Sequence, residues 1–223
     1  MTSDVSSEQD FFAASKFIRL FKSKEDAPAF FYFRQTTSTI DEARTLLKSE
    51  TPFRYPALVL AETQTAGRGQ REHRWWTGFG SLAFTLITSW ESFGRTRGDS
   101  WEISMEVAQY LILGLNTHFE RLVHRIKLRN IPEFHIKSPN DIYCWDKKLA
   151  GILIESPTPR TLLVNVGINV NNRVRLAPVE LRDSITSLID LVYPEQEKYV
   201  SNPRPNRLDR EQLLADIMIS LLQ

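Results

Sequence analysis

Three short stretches carry side chains whose types and spacing suit chemistry. The first runs from Ala61 to Trp76 and sets Gly67 and Gly69 among Arg68, Arg71 and Arg74, with Glu72 the one acid of the loop from Thr65 to Arg74. Glycines let a backbone turn tightly and come close to a ligand. Backbone N–H groups and guanidinium groups together suit phosphate or carboxylate oxygens. Trp75 and Trp76 wall an apolar pocket, stack on a base, or anchor an ordinary basic loop in the core; composition alone leaves all three open.

The second stretch, Lys137 to Glu155, clusters Lys137, Asn140 and Asp141 at a turn, then Lys148 and, three residues on, Gly151. A lysine can neutralise charge developing on phosphoryl or carboxyl oxygens. An Asn–Asp pair can hold a metal or orient a nucleophile. Pro139-Asn140-Asp141 and Lys147-Lys148 are also ordinary turn chemistry. In the third stretch, Val164 to Asn172, Gly167 and Asn169 are expected to break a strand where a backbone approaches a ligand, or to mark a bulge without function.

Other chemistries lack their residues. The Walker, dinucleotide and serine-hydrolase glycine patterns are all absent. His73, His118, His124 and His135 have no metal-ligand spacing, so a metal site is left unknown. Cys144 stands alone and is expected to act as a small hydrophobe.

Elements must position these groups. Phe11, Ala14, Ile18 and Phe21 predict a helix over residues 10 to 22. Thr39, with Glu42 three residues later, predicts a capping box opening a helix with Ile40, Ala43 and Leu47 on one face. Residues 57 to 62 and 81 to 88 predict buried strands, and Met105 to Phe119 a long helix. Residues 134 to 138 predict a strand, 141 to 145 and 148 to 155 a hairpin around Asp146-Lys147, and 161 to 170 a further strand. A last helix is expected over 209 to 222, after a Pro/Asn-rich loop from Tyr199 to Leu208. Hairpins beside long helices predict the α+β class, a mixed β-sheet backed by helices.

With 223 residues, 42% of them hydrophobic, the chain can bury a sizeable core and has no disordered composition. One cysteine excludes an intrachain disulfide and fits a reducing, cytoplasmic setting. Twenty-eight basic against 27 acidic residues argue against nucleic-acid binding through overall charge. No apolar run long enough for a membrane span occurs, and no targeting pattern opens the sequence.

Taken in order, the motifs resemble the catalytic domain of biotin protein ligases: Ser38-Thr39 ahead of a helix, Gln64 to Gly69 (QTAGRG), Lys137 to Asp141 (KSPND), Lys148 to Leu153 (KLAGIL) and Gly167 to Asn171 (GINVN). The likeness covers about residues 34 to 222. It implies an extension over residues 1–29 and a catalytic domain over 30–223, with neither a winged-helix domain nor a C-terminal SH3-like domain.

The resemblance also implies a reaction. Biotin and Mg-ATP would give biotinyl-5′-AMP, and a lysine of a biotin carboxyl carrier domain would then take the biotinyl group. ATP and Mg²⁺ are the implied cofactors, biotin the substrate, and the carrier domain of a biotin-dependent carboxylase the partner, without DNA or membrane; a homodimer is a further expectation. Carried over by motif, Lys148, Arg68, Lys137 and Asp141 are catalytic, Asp141 orienting the incoming lysine. Ser38, Thr39, Gln64, Gly67, Arg68, Trp75, Lys148 and Gly151 bind biotin. Arg68, Gly69, Gln70, Arg71, Trp75, Lys137, Asn140 and Asn169 bind ATP or the adenylate. This chain departs from the family pattern at Ser138, where tryptophan is frequent, at Gln70, which replaces an arginine, at Glu72, and at Asn165, where a small residue is usual. Two other readings stand beside this one. A lipoate or octanoate transferase would show an R-R-x-S-G-G-G loop, which is missing; a non-enzymatic biotin-binding remnant has no need of Lys148, Arg68 and Lys137 together.

Overall fold

A computed structural model of the chain describes residues 11–23, 26–50, 52–70, 73–126, 132–193 and 207–222. Seven strands form one sheet: β1 (Ala29–Thr36), β2 (Ala57–Gln64), β3 (Leu82–Ser89), β4 (Phe134–Lys137), β5 (Asp141–Cys144), β6 (Lys147–Glu155) and β7 (Thr161–Ile168), in the order β1-β2-β3-β7-β6-β5-β4. Among the described residues β1 and β2 are the one parallel pair of neighbouring strands, the other strand pairs being antiparallel, and Lys148 makes an isolated parallel bridge to Ile185. The α+β class with a mixed sheet and packed helices is therefore as the sequence predicts.

The strands alternate their side chains between two faces. Leu58, Leu60, Leu82, Phe84, Leu86, Val164 and Val166 point to one face, where α3 (Ser100–Ile126) and α5 (Arg210–Leu221) cover them. On α3 the residues Ile103, Val107, Leu111, Leu115 and Phe119 are all buried, the spacing of a single apolar stripe. Each such side chain contributes about 1.5–3 kcal/mol by leaving water. On the opposite face Ala57, Val59, Ile87 and Leu163 meet Ile40 and Ala43 of α2 (Thr39–Lys48). A short α4 (Leu188–Val192) follows β7.

Several local expectations shift. The first helix, α1, covers only Ala14–Arg19; Phe12 N and Ala13 N, at its start, donate to the side chains of Glu62 and Glu211. The N-cap of α2 is Ser38, whose Oγ accepts from Ile40 N, and not Thr39. Glu42 accepts from Thr36 Oγ1, so no capping box forms. The β5–β6 turn is Trp145-Asp146, with Trp145 at φ 54, one residue earlier than expected. Gly167 lies inside β7, paired on both sides, and breaks nothing. The strand β1 and helix α4 are additions to the sequence reading. Most of the expected loop from Tyr199 to Leu208 lies outside the described residues.

At the back of the sheet Glu62 and Arg210 form a buried pair with two contacts, Arg210 Nη1 to Oε2 at 2.8 Å and Nη2 to Oε1 at 3.1 Å. The hydroxyl of Tyr32 donates to the same carboxylate at 2.9 Å. Burial, and then that negative charge, push the Tyr32 phenol well above its usual range.

Candidate functional site

The site is built on the α2 face of the sheet. Register aligns facing residues in rows across the strands. One row is made of small residues: Ala61, Ala83, Gly167 and Gly151, ending at Asp141. The neighbouring row is Val59, Thr85, Asn165 and Leu153. The small row forms a trough, and the indole of Trp75 lies in it. A Cβ at Gly167 would overlap the ring, and one at Gly151 would stand 3.1 Å from Trp75 Cζ3. The glycines serve close approach here, as the sequence suggests, but the approaching group is a side chain of the same protein.

The arginine loop delivers that indole. Trp75 N donates to Gly67 O at 2.9 Å and Gly69 N to His73 O at 2.8 Å, so the loop closes on itself. A Cβ on Gly67 would sit 2.6 Å from Trp75 O, which is why a glycine is required there. Arg68 reaches back to Asp41 on α2 at 2.6 Å and ties the loop to the helix.

Two clefts meet beside Trp75. The first, of about 440 Å³, is lined at one end by Ser38, Thr39, Gln64 and Asn165 and at the other by Asp141, Lys148 and Gly151. Thr39 N donates to Gln64 Oε1 at 2.8 Å, and Gln64 Nε2 donates to Thr77 Oγ1 at 3.0 Å. The second, of about 520 Å³, is lined by Arg74, Trp76, Tyr143, Asn169 and the segment around Ile185. Trp75 and Lys148 line both. Lys148 Nζ stands 2.8 Å from Asp141 Oδ1 and 5.7 Å from the centroid of Trp75. Its backbone is clamped by Lys148 N to Ser184 O and Thr186 N to Lys148 O, both 2.9 Å. Trp75 Nε1 lies against Gly167 and is buried without a hydrogen-bond partner among the described residues.

The residues singled out in the sequence fall into groups. Ser38, Thr39, Gln64, Arg68, Gly69, Gln70, Trp75, Asn140, Asp141, Lys148 and Gly151 line the first cleft. Gly67 lies beneath it, against Trp75 and Gln64. Asn169 lines the second cleft, its Oδ1 accepting from Asn172 at 2.8 Å. Asn140 spends its amide on Ile152 O at 3.1 Å and so fixes the start of the β5–β6 hairpin. Lys137 lines neither cleft; it is exposed, with Nζ 4.6 Å from the centroid of the Tyr143 ring. Arg71 and Glu72 lie outside the described residues. Burial pushes the Cys144 thiol up to about 11, consistent with an inert small hydrophobe. Thr77, Thr85, Tyr143 and Ile185 belong to the site without any motif to announce them; a hydroxyl set between Phe84 and Leu86 in β3 is the one signal Thr85 gives. Among the described residues no group of three or more His, Cys, Asp or Glu is placed to hold a metal ion, and no helix is long and apolar enough to cross a membrane.

Residues 31–171 match the model of the biotin/lipoate A/B protein ligase family. The chain belongs to that family. The matched span holds both rows of the sheet face, the arginine loop and Lys148. Among relatives, the chain is 32% identical over 177 residues to a biotin–protein ligase of Schizosaccharomyces pombe, covering 72% of this chain and 25% of that one. It is 34% identical over 117 residues to the biotin–[acetyl-CoA-carboxylase] ligase of Paracoccus denitrificans, covering 52% and 44%. Among solved structures, the biotin protein ligase of Aquifex aeolicus in complex with biotin and ATP superposes with a TM-score of 0.60 at 25% identity, covering 86% of this chain and 68% of that one. The chain thus spans from a quarter to under half of the length of these two curated relatives.

Proposed function

We propose that the protein is an ATP-dependent biotin protein ligase. The observation that carries this is the position of Lys148 and Trp75 in the wall common to two clefts, one floored by small and polar residues, the other flanked by Arg74 and Asn169. An acid in the first and a nucleotide in the second would bring a carboxylate and a phosphoryl group together at a lysine ammonium. Joining two anions needs such a cation, because their repulsion is large in a partly dry site. The family membership and the ligands named with the Aquifex aeolicus relative support the same assignment.

In the first step a biotin carboxylate oxygen attacks the α-phosphorus of ATP, and the bond to the pyrophosphate breaks. Lys148 and Arg68 offset the charge, Arg68 exchanging Asp41 for a phosphate. Mg²⁺ bound to the ATP phosphates would shield part of their charge, since the described residues offer no cluster of three or more His, Cys, Asp or Glu for a metal of the protein's own. Ser38, Thr39 and Gln64 hold the ureido ring, with Gly67 and Gly151 letting Trp75 pack close beside it. Gly69, Gln70, Arg71, Asn140 and Asn169 surround the nucleotide, and Lys137 adds long-range positive charge. In the second step the amine of a carrier lysine attacks the acyl carbon and AMP leaves. Asp141, released from Lys148, orients that amine.

The test is incubation with Mg-ATP, a biotin carboxyl carrier domain and either biotin or lipoate, read by the mass of the carrier. Biotin-dependent addition is expected, with none from lipoate. Addition of lipoate alone would move the protein to the other branch of its family, and no addition with biotin bound would make it a binding remnant.

A further inference from the structure

Asn169 and Asn172 follow the end of β7, and each is 2% exposed. The backbone around them is pinned. Asn169 N donates to Leu149 O and Leu188 N to Asn169 O, each at 3.0 Å. Ile189 N donates to Val170 O at 2.8 Å, and Asn171 N to Gly80 O at 2.9 Å. What is left to settle is which end each side-chain amide presents, since an amide is a donor at its nitrogen and an acceptor at its oxygen.

The neighbours settle it in two steps. Val170 N can only donate and stands 2.8 Å from one end of the Asn172 amide, so that end is Oδ1. Asn172 Nδ2 then faces Asn169 at 2.8 Å, and the atom it meets is Asn169 Oδ1. Turning either amide, or both together, sets a donor against a donor in a buried place, where an unmade hydrogen bond is costly. Among the described residues Asn172 Nδ2 is the one group bonded to the Asn169 amide, and Asn169 Nδ2 has no partner. That nitrogen is left for the second cleft, which Asn169 lines and Asn172 does not.

We infer that Asn172 is a positioning residue for the nucleotide: it turns the Asn169 amide so that only its N–H groups face the second cleft, where they read a ring nitrogen of the base and not an amino group. The inference rests on the proposed function, which puts a nucleotide in that cleft, and it adds what the cleft reads and which residue decides it. Trp76 and Tyr143 offer flat rings on which a base can stack, while Arg74 and Lys148 answer phosphate charge. A free asparagine amide reads an acceptor and an amino group of adenine together. With Oδ1 spent on Asn172, only the acceptor is read.

The experiment measures the affinity of the full chain for ATP and for its 1-deaza, 3-deaza and 7-deaza analogues, each with C–H in place of one ring nitrogen. The readout is the ratio of affinities, which a smaller folded fraction does not move. The unaltered chain is expected to bind one analogue about tenfold to 100-fold more weakly than ATP, because a buried donor is left unpaired. Asn172→Asp keeps the shape of the side chain but has oxygen at both ends. One oxygen still accepts from Val170 N, and the other draws the Asn169 nitrogen inward and turns its oxygen to the cleft, so the preference is expected to vanish. Asn172→Leu carries no charge and leaves the Asn169 amide free to turn, and is expected to reduce the preference. Equal binding of ATP and all three analogues by the unaltered chain overturns the inference whatever the variants do. A preference unchanged in Asn172→Asp or Asn172→Leu overturns the part given to Asn172. Failure of the unaltered chain to bind ATP overturns the proposed function, and the inference with it.

Discussion

Trp75 and Gly167 are packed so closely that no side chain fits between them: the indole of the arginine loop lies on the bare backbone of a central strand. Gly151, the partner of Gly167 across β6, extends the same floor. The loop that surrounds the nucleotide in the proposed reaction is thus referenced to the middle of the sheet. Gly167→Ala should lift the indole, costing about 1–3 kcal/mol in urea unfolding. It should also slow biotin-dependent pyrophosphate release by up to about 100-fold. Unchanged kinetics with the expected loss of stability would separate the indole from catalysis.

Lys148 and Asp141 divide the two steps. Lys148→Ala is expected to lower pyrophosphate release by about 10²- to 10³-fold, because the charge it supplies acts where the anions meet. The melting temperature should barely move, since the pair with Asp141 is partly solvated. Asp141→Asn should reduce transfer from preformed biotinyl-5′-AMP by about 10²-fold. Transfer at the unaltered rate would remove Asp141 from the second step.

Arg68 and Asp41 are joined at the surface, and exposed pairs contribute about 1 kcal/mol or less. Asp41→Ala and Arg68→Ala should therefore have similar small effects on stability. Only Arg68→Ala should raise the KM for ATP, by about tenfold. Equal KM shifts in both variants would mean that Arg68 serves only to tether the loop.

Glu62→Gln removes the counter-charge of a buried guanidinium, and is expected to cost about 3–5 kcal/mol in urea unfolding. Combining it with Arg210→Met should recover part of that loss, because the uncompensated charge goes too. A double variant less stable than Glu62→Gln would show that Arg210 holds this layer through its packing and its bond to Ser81 O more than through its charge.

Lys16 and Asp209 pair at 2.6 Å. Burial raises the Asp209 carboxyl, but hydrogen bonds from Lys16 and from Gln212 N, with the lysine charge, hold it below its usual 3.8. Burial lowers Lys16, and the Asp209 and Glu211 carboxylates more than offset it, leaving it above 10.5. A depressed acid adds stability above its unfolded value and loses it as pH falls through the folded one; a raised base adds stability below its unfolded value and loses it as pH rises through the folded one. The pair therefore contributes throughout the range between. Lys16→Met should flatten the loss of stability below pH 3.8, by within about 1 kcal/mol for so exposed a pair. A thermal melt against pH checks this; identical acid limbs would discard the pair.

Elements whose residues answer to one neighbour were legible in the sequence. The apolar runs of β2 and β3 and the stripe on α3 need only a core to pack against. The run Phe30-Phe31-Tyr32-Phe33 in β1 was missed because aromatic residues on both faces of an edge strand show no alternation. The N-cap moved from Thr39 to Ser38 because Gln64, 25 residues away, claims the N–H and hydroxyl of Thr39. The hairpin turn moved because positive φ fell on Trp145, a residue with no turn preference. In the site, glycine and charged motifs were visible, whereas Thr77 and Thr85 matter only through register and through amides brought in from other strands.

The tie between Glu62 and Arg210 spans 148 positions in the chain. Glu62 enters the sheet on an early strand, while its counter-charge belongs to a helix made much later in synthesis. Before Arg210 is made, Glu62 has only the uncharged donors Phe12 N and Tyr32 Oη to offset its charge in the layer. Closing so long a loop is slow, because its entropy is lost before the contact repays it. The counter-charge that balances Glu62 is thus among the last contacts the chain can make, after the Phe12 N–H and the Tyr32 hydroxyl that reach the same carboxylate from earlier in the sequence.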